Sequence, residues 1–308
     1  MRNNPFYSYL YKIVISSYGK KTILARIVGK LYELLCVIKK DTPISLQLNN
    51  QPFCFPFSHK LLLYQKVFPL YDRHLSKLCF YMRDILGGKI NVIDVGANVG
   101  DTVVNIGLKD AFYLCIEGDD FYSNYIQYNL KEYDYALETV FLSDVNEETS
   151  YRIEAQNGTG HLAKSKDKCA CVRLITLDKL LEDKYPLLKI DLLKIDTDGF
   201  DYKVIRGSKD MIRRFHPLIF FEWDEGAWGK QNENASDVFP MLNKMGYTKC
   251  VLFDNLGNLI DIVLSIDKSS IQSYIGKTRE HGPISYYDVL AVPANSFFRA
   301  DQLFAFFQ

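Results

Sequence analysis

Small and acidic residues that follow an apolar run near residue 95 have the composition of a nucleotide-binding turn. The stretch NVIDVGANVGDTVVNIG, residues 91–107, predicts a buried strand, a turn through Gly96 and Gly100, and a helix. In an open α/β sheet, ligands bind beyond the carboxyl ends of the strands, and glycines there let the backbone approach a ligand closely. The residues predicted to bind a cofactor at this turn are Asp94, Gly96, Ala97, Asn98, Gly100, Asp101 and Thr102.

The kind of nucleotide depends on the residues between the glycines. An NAD site favours GxGxxG with a diphosphate at the helix N-terminus, whereas Asn98 replaces the middle glycine here and Asp101 would repel a diphosphate. No GK[ST] follows the turn, which excludes a P-loop. S-adenosylmethionine has no phosphate and carries a sulfonium cation that carboxylates attract. The turn therefore favours S-adenosylmethionine over NAD and disfavours an NAD-dependent sugar oxidoreductase.

The ends of the next two predicted strands also carry polar residues that could hold an adenosine. Glu117 ends the second strand, where a carboxylate can accept hydrogen bonds from both ribose hydroxyls, and Gly118 follows it. NAD sites use the same contact, so Glu117 indicates an adenosine without choosing the cofactor. Ser143 and Asp144 end the third strand, where an acid can accept a hydrogen bond from the adenine amine. We predict cofactor contacts for all four residues.

Three carboxylates at the ends of two later strands are the candidates for catalysis. Asp196 and Asp198 follow the strand LLKI, and Glu222 ends the strand PLIFFE, so their side chains are expected to converge. Two carboxylates with waters suit Mg²⁺, and one carboxylate whose pKa is raised by a like-charged neighbour could instead act as a base. The structural alternative is that Asp198 caps a helix and Glu222 pairs with a Lys or Arg.

Two histidines are weaker candidates for a base or a substrate ligand. His161 lies in the polar segment NGTGHLAK after the third strand, where an acceptor could enter, and His281 lies in the loop before the last strand. A histidine in a loop is also compatible with simple exposure to solvent. Lys194 lies within a predicted strand, and we expect a structural role for it.

Strands and helices alternate from residue 91 onward, which predicts a doubly wound α/β sheet that is mostly parallel. The last two strands, TKCVLFD and YYDVLAVP, have only a loop between them, so we expect an antiparallel C-terminal strand at the sheet edge. Residues 61–86 have apolar positions at helical spacing, and Gly87-Gly88 ends that run. Residues 41–60 contain three prolines and predict a loop or short hairpin before the main domain.

Composition and charge restrict the class of protein. The chain of 308 residues has a formal net charge of zero, which gives no general attraction to nucleic acid, and its seven cysteines form no CxxC pair. Neither a signal peptide nor an apolar run of the roughly 18–20 residues that span a membrane is evident, so we expect a cytoplasmic protein. Residues 1–40 nevertheless carry eight Lys or Arg against Glu33 alone, a balance of +7. This segment predicts either a helical extension packed on the main domain or a peripheral membrane contact.

Several blocks of the sequence together resemble the FkbM family of S-adenosylmethionine-dependent methyltransferases. They occur in the family's order over about residues 90–293: VIDVGANVGDT, CIEGDDFYSNYIQYNL, VFLSD, VRLITLDKLL, LLKIDTDGFDYKVIRGS, PLIFFEW and YYDVLAVP. The chain departs from the family where KIDTDG replaces KIDVEG, which shortens the acid at Asp198 by one carbon. It also has Gly118-Asp119 where the family has an acid-proline pair.

The resemblance implies a class I methyltransferase fold and methylation of an oxygen, often a sugar hydroxyl in a glycan or glycoconjugate. We accordingly expect an N-terminal basic extension at 1–60, a methyltransferase domain at 61–295 and a C-terminal tail at 296–308. The alternatives are a methyltransferase for a carboxylate, an amine or a small natural product, and a non-catalytic scaffold in glycan assembly.

Overall fold

The computed structural model describes residues 3–39, 41–156, 159–164, 171–275, 277 and 284–307. Within these residues an eight-stranded sheet forms the centre of the molecule. Its strands, from one edge to the other, are β13 (Leu259–Val263), β12 (Tyr247–Asp254), β14 (Tyr287–Pro293), β11 (Leu218–Trp223), β10 (Leu192–Ile195), β3 (Asn91–Val95), β4 (Phe112–Ile116) and β5 (Asp134–Glu138).

Two smaller sheets lie outside the central one among the described residues. One is a hairpin of β1 (Pro43–Leu48) and β2 (Gln51–Pro56), which confirms the hairpin alternative for residues 41–60. The other has the order β6 (Phe141–Leu142), β9 (Cys171–Ile175), β7 (Glu147–Gln156) and β8 (Thr159–Lys164).

Helices cover both faces of the central sheet, as a mostly parallel sheet requires. Those described are α1 (Pro5–Ser17), α2 (Ile23–Lys39), α3 (Leu61–Val67), α4 (His74–Leu86), α5 (Asp101–Ile106), α6 (Asp120–Asn129), α7 (Leu177–Lys184), α8 (Asp201–Arg206), α9 (Lys209–Phe215), α10 (Glu225–Lys230), α11 (Val238–Lys244), α12 (Lys268–Gln272) and α13 (Ala300–Phe307). Two buried apolar clusters result. The first joins α1, the hairpin, α4, α5 and α6, and the second joins α7, α8, α9 and α11.

The C-terminal strand β14 is antiparallel, as predicted, but the prediction that it lies at the sheet edge is wrong. It pairs with β11 on one side and β12 on the other, and β13 forms the edge. Strand β13 is not evident from the sequence, because Ile260 and Asp261, in the middle of this short strand, are exposed. An edge strand that is half exposed lacks the continuous apolar run of an interior strand.

The helical run predicted at residues 61–86 is divided into α3 and α4 by a turn at Pro69. Proline lacks the amide hydrogen that a helix needs, and it disfavours helical geometry in the residue before it. Phe68 is accordingly extended, with φ −118° and ψ 91°, and α3 ends there. Gly87 closes α4 in the left-handed conformation and donates its N–H to the Arg83 carbonyl. The interruption matters because the turn carries Tyr71 and Asp72.

The hairpin is attached to the central domain through Asn129 at the end of α6. Its side chain donates to the carbonyls of Cys54 and Val99, each at 2.8 Å, and accepts from the Cys54 N–H at 2.8 Å. Apolar residues of the hairpin, including Phe53 and Phe55, belong to the same buried cluster as the first strand of the domain. The predicted domain limits at residues 60 and 295 stay predictions.

We expect Asn129→Leu to lower the free energy of unfolding by about 2–4 kcal/mol, because it removes three hydrogen bonds to buried backbone groups. Urea denaturation measures this change. Asn124→Leu is the matched control, since Asn124 lies exposed on the same helix and donates only to the Asp120 carbonyl. Equal losses in the two variants would contradict the role of Asn129.

Candidate functional site

A cavity of about 200 Å³ lies at the carboxyl ends of β3, β4, β10 and β11. Its wall is completed by the α3–α4 turn, the start of β14 and the segment between β2 and α3. Nine of the predicted site residues line it: Gly96, Asn98, Asp101, Thr102, Glu117, Gly118, Asp196, Asp198 and Glu222. The structure therefore brings the cofactor candidates and the carboxylate candidates to one cavity.

The turn after β3 has no room for a side chain at Gly96. This residue has φ +73°, and a Cβ built on it would lie 1.8 Å from the Asp196 carbonyl oxygen of the neighbouring loop. Both Gly96 and Ala97 donate their N–H groups to the Ile116 carbonyl, which fixes the turn against β4. The close approach of two loops at the end of adjacent strands is thus what requires glycine here.

Three of the predicted residues support this turn from behind the cavity wall. Ala97 is fully buried, and Gly100 adopts the left-handed conformation with φ +81° immediately before α5. Asp94 is fully buried within β3, beneath the turn. These residues shape the turn, while Gly96, Asn98, Asp101 and Thr102 form its surface.

Glu117 lies at the cavity wall and ties the glycine turn to the loop after β4. One carboxylate oxygen accepts the Asn98 N–H at 2.8 Å, and the other accepts the Asp119 N–H at 2.9 Å. Burial raises the pKa of Glu117 to about 7, although the two N–H groups act to lower it. Each oxygen keeps a lone pair for a further donor. Beside it, a Cβ at Gly118 would lie 2.3 Å from the Phe141 ring.

Ser143 and Asp144 lie away from the cavity wall. Ser143 is buried, and its carbonyl oxygen would lie 2.1 Å from a Cβ at Gly207. Asp144 forms an ion pair with Arg206 at 2.6 Å, and Arg206 also pairs with Glu233. The cavity near the end of β5 is instead lined by the apolar residues Val140, Phe141 and Leu142. The Asp144 carboxylate, which the sequence predicts as an acceptor for the adenine amine, is thus paired with Arg206 instead.

Lys194 is a buried cation at the base of the cavity. Its Nζ lies 3.0 Å from Asp94 Oδ1, 3.6 Å from Asp196 Oδ2 and 3.2 Å from the Gly96 carbonyl, to which it donates. Burial acts to lower the pKa of Lys194, but Asp94, Asp196 and Asp101 together raise it above its usual value. Burial also raises the pKa of Asp94 to about 6, against the opposing effect of Lys194. The structural role predicted for Lys194 is thus compatible with its position under the glycine turn.

Two acids that the sequence analysis missed also line the cavity, Asp72 and Asp288. Asp72 lies in the α3–α4 turn with φ +56°, and Asp288 is directly opposite Glu222 in the antiparallel pair of β14 and β11. An antiparallel strand begins where its neighbour ends, so an acid at the start of β14 reaches the carboxyl end of β11. The antiparallel direction predicted for β14 is the signal that points to Asp288, and the pairing of β14 with β11 is what the sequence does not show.

Burial, together with the crowding of acids in the cavity, raises several carboxyl pKa values. Burial, with Asp101 and Asp196 next, raises the pKa of Asp72 to about 7. Burial raises the pKa of Asp101 to about 6. Burial, followed by neighbouring acids, raises the pKa values of Glu222 and Asp288 well above their usual range. Like charges on opposite residues of a strand pair are unfavourable, so Glu222 and Asp288 favour holding a proton.

His59, which the sequence analysis assigned to the connection before the main domain, lies in the cavity wall. It is buried, its side chain interacts with that of Asn98, and its Nδ1 accepts the Leu61 N–H at 3.3 Å. Burial lowers the pKa of His59 to about 4, so the ring is neutral at physiological pH. No sequence signal near residue 59 indicates this contact, which depends on how the hairpin packs.

The remaining candidates are not assembled at the cavity by any described contact. His161 lies in β8, where it is opposite Glu154, and its catalytic role stays a prediction. His281 lies outside the described residues. Throughout the described part of the chain, no three His, Cys, Asp or Glu side chains form a group that could hold a metal ion. The magnesium site predicted for Asp196, Asp198 and Glu222 is therefore not supported by the described donors.

Comparison with known proteins identifies a family match over most of the chain. The family model described as the methyltransferase FkbM domain matches residues 39–249. No curated protein matches the chain.

Several solved methyltransferase structures align with the chain at low sequence identity and low TM-score. One is an FkbM methyltransferase from Methylobacillus flagellatus KT, with 11% identity, a TM-score of 0.42, and alignment over 86% of this chain and 60% of that one. The present chain therefore spans less than two thirds of that structure's length. Another is the magnesium protoporphyrin IX methyltransferase from Synechocystis PCC 6803 with bound SAH, with 9% identity, a TM-score of 0.40, and coverage of 76% and 87%. The METTL16 methyltransferase domain aligns over 96% of this chain and 93% of its own, with 11% identity and a TM-score of 0.41.

Proposed function

The chain belongs to the FkbM methyltransferase family, and from this premise we propose that it transfers a methyl group from S-adenosylmethionine to a sugar hydroxyl. The fold is the class I methyltransferase fold. The observation that carries the proposal is the acidity of the cavity lining, in which the described residues include seven carboxyl groups and two lysines, Lys60 and Lys194. Such a cavity favours a cationic ligand and disfavours a diphosphate.

The residues present fit S-adenosylmethionine. The glycine turn and the neighbouring Asp196 loop form the cofactor cradle, and they approach so closely that a Cβ at Gly96 would lie 1.8 Å from the Asp196 carbonyl oxygen. Glu117 is placed at the wall with acceptor capacity for the ribose hydroxyls, and Asp101 and Asp196 provide negative charge for the cationic groups. Phe141 and its two apolar neighbours offer a surface for adenine in place of Ser143 and Asp144. When bound, the cofactor supplies a methyl group on a positively charged sulfur.

The acceptor half of the cavity supports a sugar hydroxyl as the acceptor. Tyr71, Asp72, Tyr286 and Asp288 line this part, together with Glu222. Carboxyl groups accept hydrogen bonds from hydroxyls, and aromatic rings cover the apolar face of a sugar ring. A protonated Glu222 or Asp288 can also donate a hydrogen bond to a second hydroxyl, which would orient the acceptor.

The chain's own residues have two tasks in this reaction. They hold the acceptor oxygen in line with the methyl carbon, an effect that supplies about 7–11 kcal/mol in favourable cases. They must also accept the hydroxyl proton as the carbon–oxygen bond forms. Asp72 suits this task because its pKa of about 7 lies near the operating pH of a neutral compartment.

Calorimetric titration of S-adenosylmethionine into protein stripped of bound cofactor tests the proposal directly. We expect saturable binding, and incubation with monosaccharides, oligosaccharides and sugar conjugates should release S-adenosylhomocysteine. Binding of NADH instead of S-adenosylmethionine would overturn the assignment of the cofactor. Binding without turnover on any hydroxyl compound, but with turnover on carboxylates or amines, would overturn the assignment of the acceptor.

We expect Asp72→Asn to lower kcat by about 10²–10⁴-fold, the usual contribution of a general base. In the wild type, kcat/KM should rise with pH through about 7, because only the ionised Asp72 accepts a proton and its pKa is about 7. This rise should be absent in the variant, while the dissociation constant of S-adenosylmethionine changes little. Asp110→Asn, on the exposed surface, is the control. An unchanged rate and pH profile in Asp72→Asn would exclude this base.

We propose a glycan or glycoconjugate as the acceptor, no nucleic-acid partner, and a cytoplasmic site of action. Among the described residues no helix is both long and apolar enough to cross a membrane.

A further inference from the structure

Helix α2 exposes a continuous apolar stripe. Ile23, Ile27, Leu31, Leu34 and Ile38 are spaced by four, four, three and four positions, which places them on one face of a helix. Their exposed fractions are 77%, 58%, 47%, 59% and 65%, so this face is not covered by the rest of the chain. Leu24, at the border of the stripe, is 68% exposed.

The opposite face of α2 packs against the rest of the chain. Tyr32, half a turn away from the stripe, is 5% exposed and donates its hydroxyl to the Phe57 carbonyl at 3.2 Å. Tyr11 of the adjacent α1 is fully buried and donates to the His59 carbonyl. Because the orientation of α2 is fixed by these contacts, its apolar stripe points away from the core.

The concentration of exposed apolar side chains in this region is unusual. The described chain exposes twenty large hydrophobic residues, and ten of them lie between residues 6 and 38. Phe6, Tyr9 and Ile13 form a second exposed row on α1, at helical spacing. Soluble proteins rarely expose apolar side chains in such contiguous groups unless the surface has a partner.

Positive charge accompanies the stripe. Arg26 and Lys30 lie along one border of it by helical spacing, and both are exposed. Residues 1–40 carry a balance of +7 in a chain whose formal net charge is zero. An apolar face bordered by Lys and Arg is complementary to the acyl chains and phosphates of an anionic lipid surface.

We propose that α1 and α2 dock this protein on a membrane containing anionic lipids, with α2 lying in the plane of the interface. None of the described helices is long and apolar enough to cross a membrane, and the proposed position of α2 is at the membrane surface. A second copy of the chain is a poorer occupant, because a symmetric contact through α2 would place the positive balance of residues 1–40 of both copies at one interface. The docking helices contact the segment that contains His59, so the docking surface is joined directly to the cavity wall.

Vesicle sedimentation of the full chain tests the proposal. We expect binding to vesicles of phosphatidylcholine mixed with phosphatidylglycerol, weaker binding to phosphatidylcholine alone, and loss of binding as salt rises. Ile27→Glu/Leu31→Glu should weaken the partition coefficient by about 100-fold or more, since two apolar side chains leave the lipid. Arg26→Glu/Lys30→Glu should weaken it by at least about 30-fold.

Exposed positions elsewhere on the molecule supply the matched controls. Leu187 is 94% exposed, and Lys230 is exposed at the end of α10, so Leu187→Glu and Lys230→Glu should keep wild-type vesicle binding. Because every substituted side chain is exposed, circular dichroism should report a native fold in all variants. Light scattering distinguishes the alternative occupant: a wild-type dimer that Ile27→Glu/Leu31→Glu converts to a monomer, with no vesicle binding, would overturn the proposal. Equal binding to both vesicle types in all variants would also overturn it.

Discussion

Gly96→Ala is expected to abolish measurable binding of S-adenosylmethionine and to lower the free energy of unfolding by about 2–4 kcal/mol. The methyl group would lie 1.8 Å from the Asp196 carbonyl oxygen, far inside van der Waals contact, and φ +73° is unfavourable for a residue with a Cβ. The loop that holds Asp196 would have to move, and this loop lines the cavity beside the turn. The variant therefore changes both walls of the cofactor cradle at once.

Two glycine variants separate damage to the cradle from general instability. Gly88→Ala meets no atom within 4 Å and should behave as the wild type. Gly207→Ala would place its Cβ 2.1 Å from the Ser143 carbonyl oxygen, outside the cavity, so it should lower stability while the folded fraction still binds cofactor. Thermal denaturation gives the stability of each variant, and calorimetry gives the affinity. Normal affinity in Gly96→Ala would show that the turn does not contact the cofactor.

The glycine turn and Glu117 could be located from the sequence because their signals are local. An apolar strand, a glycine turn and a helix follow one another within residues 91–107, and an acid after the next strand completes the pattern. The turn and Glu117 line the same cavity because the carboxyl ends of neighbouring parallel strands lie at the same edge of a sheet. The sequence alone could not show that Asp144 forms an ion pair with Arg206, because the two residues are 62 positions apart.

The acceptor side of the cavity was harder to predict, since its residues come from segments without a local motif. Asp72 lies in a turn created by Pro69 between two helices, and only the packing of these helices against the sheet brings it to the cavity. His59 depends in the same way on the hairpin, which Asn129 attaches to the domain. Non-local packing thus determines which acids share the cavity, while the local sequence determines where the cofactor turn lies.

The pairing of Asp94 with Lys194 shows how strand register changes the interpretation of a residue. From the sequence alone, Asp94 is expected to contact the cofactor and Lys194 to have a separate structural role. In the structure the two residues are direct partners across the parallel strands β3 and β10, with Asp94 fully buried and the Lys194 side chain 6% exposed. Their ion pair supports the glycine turn through the Gly96 carbonyl, which accepts a hydrogen bond from Lys194.

Lys194→Met is therefore expected to lower the free energy of unfolding by about 3–5 kcal/mol at pH 8, the usual effect of removing one partner of a buried ion pair. Methionine keeps the length and the apolar stem of the side chain, so the loss of stability measures the effect of removing the positive charge. Without Lys194 the pKa of Asp94 should rise above its value of about 6, because Lys194 acts to lower it. Denaturation by urea at several pH values measures the effect.

The sign of the pH dependence follows from the protonation of Asp94. A folded-state pKa above the unfolded value means that the folded state binds the proton more tightly, so stability falls as pH rises between the two pKa values. The deficit of Lys194→Met should thus be smaller near pH 5, where Asp94 is protonated in the variant, and larger at pH 8. Adding Asp94→Asn removes the unpaired charge and should recover part of the loss at pH 8. A deficit that is independent of pH and unaffected by Asp94→Asn would mean that packing, and not charge, keeps Lys194 beneath the turn.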